Sequence, residues 1–424
     1  MTAKTRLAPR LAWLLAPLLL PSFAIAAGAT RGAPALDRAR TVDPVLLLLR
    51  DGSRLGASAI TFGADGEASV AVVAGGMRRL PLQEIVSVEY AATGARTAIG
   101  TMTARLHDGS RLLGKVVGGD EEEVQFELAT GNTLAIPLDA LHALFVGPRH
   151  AALDVAAFAP AEEGDTLHRR LEVGGDHTRG TLVALTPTGV RFDYSLGTGD
   201  FRYDEVEAVV LEQQVEPRAP KGVVVEADLL PDGTLIGELV RLTAAELVLK
   251  PLATEREVAL PREALLGLRL RDGTRRWLSD LAPVEVRERP YLGGADDFLH
   301  PWRRDRSVTG QPLQCGGRRF GKGLGCHSRS ELSFALPASA RRFVAVVGIS
   351  DEVLELPERG AVEFRVLVDG VERWKSGAVR GGEPAQALEA LDVSGGKVLT
   401  LIADFGSGED VADRAVWGEA VLLD

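Results

Sequence analysis

The residues best suited to chemistry in this 424-residue chain fall between Cys315 and Trp417. His327, Asp351, Glu352 and Arg414 offer planar donors and acceptors of the kind that fork across adjacent hydroxyls. Trp374 and Trp417 offer flat faces for the C–H side of a pyranose ring. That set is the chemistry of sugar recognition. Asp404 and Asp413 add carboxylates to the last loop, and such oxygens suit calcium, which takes six to eight of them. Several of these residues also have a structural reading. His327, beside Cys326, is placed to hydrogen-bond a buried backbone group. Trp417, among Ala415, Val416 and Val421, is placed to fill a core, and Trp374, between Arg373 and Lys375, to sit half-buried in a sheet. Cys315 and Cys326 flank a glycine-containing stretch that reads as a hairpin loop. A disulfide across it would add about 3 kcal/mol by loop closure; the alternative is a pair of buried free thiols.

A hydrolase would need two carboxylates held across a cleft, or a nucleophile with its base. The seven histidines are scattered, and neither Gly-x-Ser-x-Gly nor His-Glu-x-x-His occurs. No segment is long enough for a catalytic barrel or α/β core. The chain reads as non-enzymatic.

The elements that must position these residues are strands. Leu332, Phe334 and Leu336 alternate with Ser333 and Ala335, and Val362, Phe364, Val366 and Val368 alternate with Glu363 and Arg365. Asp369-Gly370 supplies a two-residue hairpin, and 398–403 and 416–423 supply later strands. Upstream lie four weak copies of a unit of about 45 residues. Each opens on a hairpin, with Asp51-Gly52, Asp108-Gly109 and Asp232-Gly233 in the clearer copies. Each ends in a turn and a last strand, the turn marked by Pro81, Pro137 and Pro261 in the same three. Val124, Phe126 and Leu128 alternate with Gln125 and Glu127, the signature of one buried face. The expected architecture is all-β: tandem small SH3-like or Sm-like β-barrel repeats at 44–90, 101–147, 164–211 and 222–271, followed by a β-sandwich or jelly roll at 275–424. One copy is too small to be robust alone, so neighbours are expected to pack or share sheets. Linkers are expected at 91–100, 148–164, 212–222 and 271–276.

The C-terminal third carries Lys322-Gly323-Leu324-Gly325-Cys326-His327, then Val366-Leu367-Val368-Asp369-Gly370 with Trp374. It closes on Asp404-Phe405-Gly406-Ser407-Gly408 and Asp413-Arg414-Ala415-Val416-Trp417. In that order these motifs resemble the NPCBM family over residues 275–424. The resemblance implies a galactose-binding-like β-sandwich with a glycan at its loop ends, often of galactose type, and in some relatives a structural calcium. It puts His327, Asp351, Glu352 and Trp417 at positions of the family's motifs, and Asp404 and Asp413 in its last loop. Ser350, Ser407 and Arg414 depart from the acidic or imidazole residues the family commonly has there.

Composition bounds the rest. The net charge is −11 with no basic stripe, which argues against a phosphate backbone as partner. Residues 1–26 read as a signal peptide: Lys4, Arg6 and Arg10 precede the apolar run 11–24, and Ala24-Ile25-Ala26 offers small residues for cleavage. Residues 27–43 read as a disordered lead. With the signal removed no segment is expected to span a membrane, and the chain is expected to be secreted or periplasmic. The expected function is glycan or polysaccharide binding, with calcium the one cofactor in play and the repeats a spacer or a docking surface for envelope proteins. The alternative is a structural or assembly protein of the envelope whose sandwich has lost its sugar site.

Overall fold

The computed structural model describes residues 45–63, 66–91, 102–147, 163–170, 175–212, 219–254, 256–294, 299–407 and 409–424. The expected signal 1–26, the lead 27–43 and most of the first three linkers lie outside them. The described residues form strands and short 3₁₀ turns, with no α-helix among them, and no helix long and apolar enough to cross a membrane.

Two of the three Asp-Gly steps act as the sequence implies; Gly233, which follows Asp232, is not among the glycines with positive φ. Gly52 and Gly109 adopt φ of 82° and 92°, and the preceding aspartates cap Ser53 and Ser110 backbone N–H groups at 2.8 Å. Leu82–Glu84, Leu138–Ala140 and Arg262–Ala264 are 3₁₀ turns after Pro81, Pro137 and Pro261. They re-aim the chain into a final strand. Within each interval five strands pair in the same order, fourth–third–second–first–fifth. In the first interval these are Val45–Leu49, Arg54–Phe62, Glu67–Val72, Met77–Pro81 and Ile85–Tyr90.

The fifth strands then pair with one another. Ile85–Tyr90 runs antiparallel to Leu265–Arg271, with Val88 opposite Leu268. Leu141–Val146 runs antiparallel to Val206–Val210, with Leu144 opposite Val209. The first unit is thus joined to the fourth and the second to the third. All twenty strands form one hydrogen-bonded network over one continuous core that includes Leu47, Val88, Phe126, Phe192 and Leu268. Sharing a core removes the weakness of a 45-residue unit standing alone.

The C-terminal sandwich has two facing sheets. One holds Arg303–Arg304, Gly323–His327, Arg414–Leu423, Arg342–Ile349 and Gln386–Asp392, with Arg275–Trp277 added beside Arg414–Leu423. The other holds Glu285–Glu288, Ser330–Ala335, Val398–Phe405, Ala361–Val368 and Val371–Arg380. Asp369 and Gly370 both take positive φ, as a two-residue hairpin demands. Phe334, Phe343, Phe364 and Trp417 fill the space between the sheets.

The expected disulfide does not form. Leu313–Cys315 and Arg318–Phe320 do make the hairpin, but both cysteines are free and buried. Cys315 packs with Val346 and Val416 on the outer face of the six-stranded sheet. Cys326 packs with Val347, Ala415 and Trp417 on its inner face. The sheet itself lies between the two sulfurs.

That outer face is covered by the repeats. Leu48 and Val86 of the first unit meet Trp277, Val344, Val421 and Leu423. Charges surround this apolar patch. Glu419 accepts from Arg54 at 2.9 Å and from Ser87 Oγ at 2.8 Å, and Arg318 reaches Glu89 at 2.6 Å. Asp232 receives Arg111 of the second unit at 2.8 Å and Arg306 of the sandwich at 2.9 Å. Burial, reinforced by Glu419, pushes the Glu89 carboxyl up to about 8 despite Arg318. Glu89 and Glu419 share a side-chain hydrogen bond, which requires a proton on one of the two carboxyls. The folded chain therefore keeps a proton that the unfolded chain releases near its ordinary 4.5. The associated stability is full below that value and is lost as pH rises through about 8. Melting temperature should fall between about pH 5 and pH 8.5, and Glu89→Gln should flatten that limb. A wild-type profile that rises over the same range would contradict it.

Candidate functional site

One end of the sandwich gathers the described residues 289–294, 299–302, 306–312, 327–330, 350–361, 380–386, 405–407 and 409–414. Two strands of the six-stranded sheet place its central pair: Gly323–His327 and Arg414–Leu423 are antiparallel neighbours, and His327 lies opposite Arg414. His327 is only 7% exposed, and its Nδ1 is 3.0 Å from the Ser328 carbonyl oxygen. That oxygen can only accept, so Nδ1 carries the proton and Nε2 is the accepting nitrogen. The His300 ring lies beside it, with centroids 5.0 Å apart and planes 31° apart. Burial pushes both imidazoles below the usual histidine value, and the Arg414 charge adds to this while Asp410 opposes it. Both rings are neutral at pH 7.

Arg414 is held by Glu352, Nη1 to Oε2 at 3.1 Å. Glu352 is itself fixed by Thr309 Oγ1 and by Ser350 Oγ at 3.2 Å. Asp410 accepts from the Tyr291 backbone N–H at 2.8 Å. The Tyr291 ring stands edge-on to Phe405 at 5.3 Å and is 46% exposed. An accepting imidazole, a guanidinium, carboxylates and an exposed aromatic face thus share one end of the fold.

Of the residues read from the sequence, His327, Glu352 and Arg414 come together. Asp351 does not join them: its oxygens accept the Gly316 and Gly317 backbone N–H groups at 2.8 and 2.9 Å, fastening the cysteine hairpin. Trp417 is 0% exposed and edge-on to Phe364 at 5.1 Å. It is core, which corrects its reading as a ligand platform. Trp374 lies in the other sheet opposite Val366 and packs half-buried against the core. Six residues separate it from Arg380 at the loop end of its strand, roughly 20 Å of extended chain, so it too is no part of this cluster.

The carboxylates read as calcium ligands, Asp404 and Asp413, are engaged by other groups. Asp404 faces two guanidinium groups, Arg365 at 3.3 Å and Arg329 at 3.6 Å. Asp413 accepts Ser328 Oγ at 2.6 Å and the Ala361 N–H at 2.7 Å. Burial, with Asp410 nearby, pushes its carboxyl up to about 6. Oxygens already facing cations and N–H or O–H donors do not fit a divalent ion. Among the described residues no three His, Cys, Asp or Glu side chains converge as a metal site would require.

His300 and Tyr291 were not among the expected site residues. The signal for His300 is one of register. Arg303 pairs with Gly325, so the residue three before Arg303 falls beside the residues just after Cys326. A two-residue strand leaves too little pattern to reveal that pairing.

The curated relatives matched by this chain are much longer than the stretch matched, which amounts to 7% and 13% of their lengths. One is the alpha-1,3-galactosidase B of Akkermansia muciniphila, 31% identical over 105 residues, or 24% of this chain. Among solved structures, the chain is similar to the CBM51 of Clostridium perfringens GH95 in complex with methyl-galactose. That match is 21% identical, covers 35% of this chain and 99% of the other, and has a TM-score of 0.31. The tandem CBM51 modules of Sp3GH98 from Streptococcus pneumoniae match at 13% identity over 89% of this chain and 88% of theirs, with a TM-score of 0.30. Residues 274–423, which span the sandwich of this chain, match the model of the NPCBM/NEW2 domain family.

Proposed function

We propose that the protein is a non-catalytic glycan-binding protein acting outside the cytoplasm, and that its ligand is a galactose-configured sugar. The observation that carries this reading is the cluster of His327, Arg414 and Glu352, with the exposed Tyr291 ring at the same loop end, tied by its backbone to Asp410. In this reading Arg414 donates to one sugar hydroxyl, His327 Nε2 accepts from its neighbour, and Tyr291 meets the C–H face of the ring. The galacto configuration is suggested by the relative named as an α-1,3-galactosidase. Only the binding module is shared with that enzyme, so the reading takes over the sugar and leaves the hydrolysis behind. Ser350 favours a working site over a lost one, because its hydroxyl helps to hold Glu352 in place. The repeats serve as the rigid base on which the module is mounted.

A monosaccharide has about 12 heavy atoms, and roughly 0.3 kcal/mol per atom gives about millimolar affinity. Retention in a galactan-containing affinity gel is therefore the suitable assay. Wild-type protein should be retarded. Arg414→Ala and His327→Ala should run as in a sugar-free gel, and Tyr291→Ala should lose most of the retardation. Because burial keeps His327 neutral, retardation should hold steady from about pH 8 to 6.5 and decline only at more acid pH. Equal mobility of wild type and variants, or no retardation on any galactan, would overturn the proposal.

A further inference from the structure

We propose that the site continues into a second subsite that takes a neutral pyranose, in a groove of about 570 Å³ between residues 357–361, 380–381, Ser407 and 409–413. This rests on the glycan-binding reading of His327 and Arg414. Groove and site share a wall. Asp413 lines the groove, precedes Arg414 in the chain, and binds Ser328, the residue after His327. The volume lies in the range of small-molecule sites.

The groove is built before any ligand arrives. Asp413 accepts the Ala361 N–H at 2.7 Å, and the Gly406 N–H donates to the Ala361 carbonyl at 2.9 Å, tying two of the loops together. Gly360 has φ of 70° and lies so close to the Ala412 carbonyl that no side chain would fit. Ala412 itself has φ of 62°, a conformation that residues other than glycine seldom adopt and that tends to cluster at ligand sites.

The lining supplies both kinds of contact that a sugar needs. Arg380, braced by Ser407 Oγ at 2.6 Å, offers donors, and Glu409 offers acceptors. Val411, 54% exposed, offers an apolar patch for a C–H face. The charges decide the ligand class. Arg359 and Arg380 stand against Glu358, Glu409 and Asp413, so no cation is in surplus for a carboxylate or sulfate. An uncharged ring is preferred over a uronic or sialic acid.

Calorimetric titration of the full chain distinguishes the possibilities. The probes are methyl α-galactoside, the α1,3-, α1,4- and β1,4-linked galactosyl disaccharides, and a sialylated galactoside. At least one neutral disaccharide should bind about tenfold more tightly than the monosaccharide, and the sialylated probe should bind no more tightly than the monosaccharide. Arg380→Ala should remove the disaccharide's advantage and leave methyl galactoside affinity and melting temperature unchanged. Val411→Asp, which puts a charge on the apolar patch, should do the same. If methyl galactoside binds and no disaccharide binds more tightly, the groove is overturned and the His327 site stands. If the sialylated probe binds tightest, the charge argument is overturned. If no sugar binds, both readings fall.

Discussion

Replacing Arg269 by alanine should destabilise the protein by about 3–5 kcal/mol, the cost of stranding buried charge. Arg269 lies directly opposite Glu226 in the sheet. Its guanidinium reaches Glu226 at 2.9 Å and Asp228 at 2.6 Å, with the Arg269 side chain only 5% exposed. Without it the nearest cation to the two carboxylates is Lys322 of the sandwich, 3.8 Å from Glu226, with Arg271 and Arg319 acting from further away. Burial alone would raise the Glu226 carboxyl; the charges of Arg269 and Lys322 outweigh it and hold the group down at about 2. Urea titration followed by tryptophan fluorescence measures the loss, since Trp277 lies in the same seam, 5.8 Å from the Arg269 guanidinium. The triple change Arg269→Met, Glu226→Gln and Asp228→Asn should recover much of it, because no unpaired charge remains. A loss under 1 kcal/mol for Arg269→Ala would mean that water reaches these carboxylates and that the seam is not sealed.

Trp417→Ala should cost a similar amount, about 3–5 kcal/mol, by emptying the centre of the sandwich. The residue is fully buried between the sheets and edge-on to Phe364. Trp374→Ala, at a half-buried edge position, should cost distinctly less. Thermal melts of the two variants, paired with the affinity gel, separate packing from contact. A Trp417→Ala protein with a wild-type melt and no sugar binding would restore Trp417 as a platform.

The local grammar of this fold is open in its sequence, and its long-range pairing is not. Asp51-Gly52 and Pro81 announce a turn and a step because φ preference and a missing N–H act on single residues. Val124, Phe126 and Leu128 announce a buried face because alternation is itself local. Which fifth strand meets which depends on surfaces about equally apolar in every unit, and no residue encodes that choice by its type. Trp417 was ambiguous for a related reason. Arg414–Leu423 is buried on both faces beyond its first residue, one face by the opposing sheet and the other by the repeats, so alternation gives no inside and outside. The same two-sided burial hid the separation of the cysteines. At the site, His327 was visible through its motif and Arg414 through its place in the last loop. His300 and Tyr291 needed a register that only the folded chain supplies.

The union of the first unit with the fourth has a kinetic consequence. Val88 and its partner Leu268 are about 180 residues apart in the chain, and contacts of such separation slow folding. A ribosome adding 5–20 residues per second takes roughly 10–40 s to cover that distance. Throughout that interval the nascent chain displays the Ile85–Tyr90 edge, with its backbone N–H and C=O groups open to any passing strand. Aggregation during synthesis, more than weakness of the finished protein, is therefore the hazard this architecture has to survive.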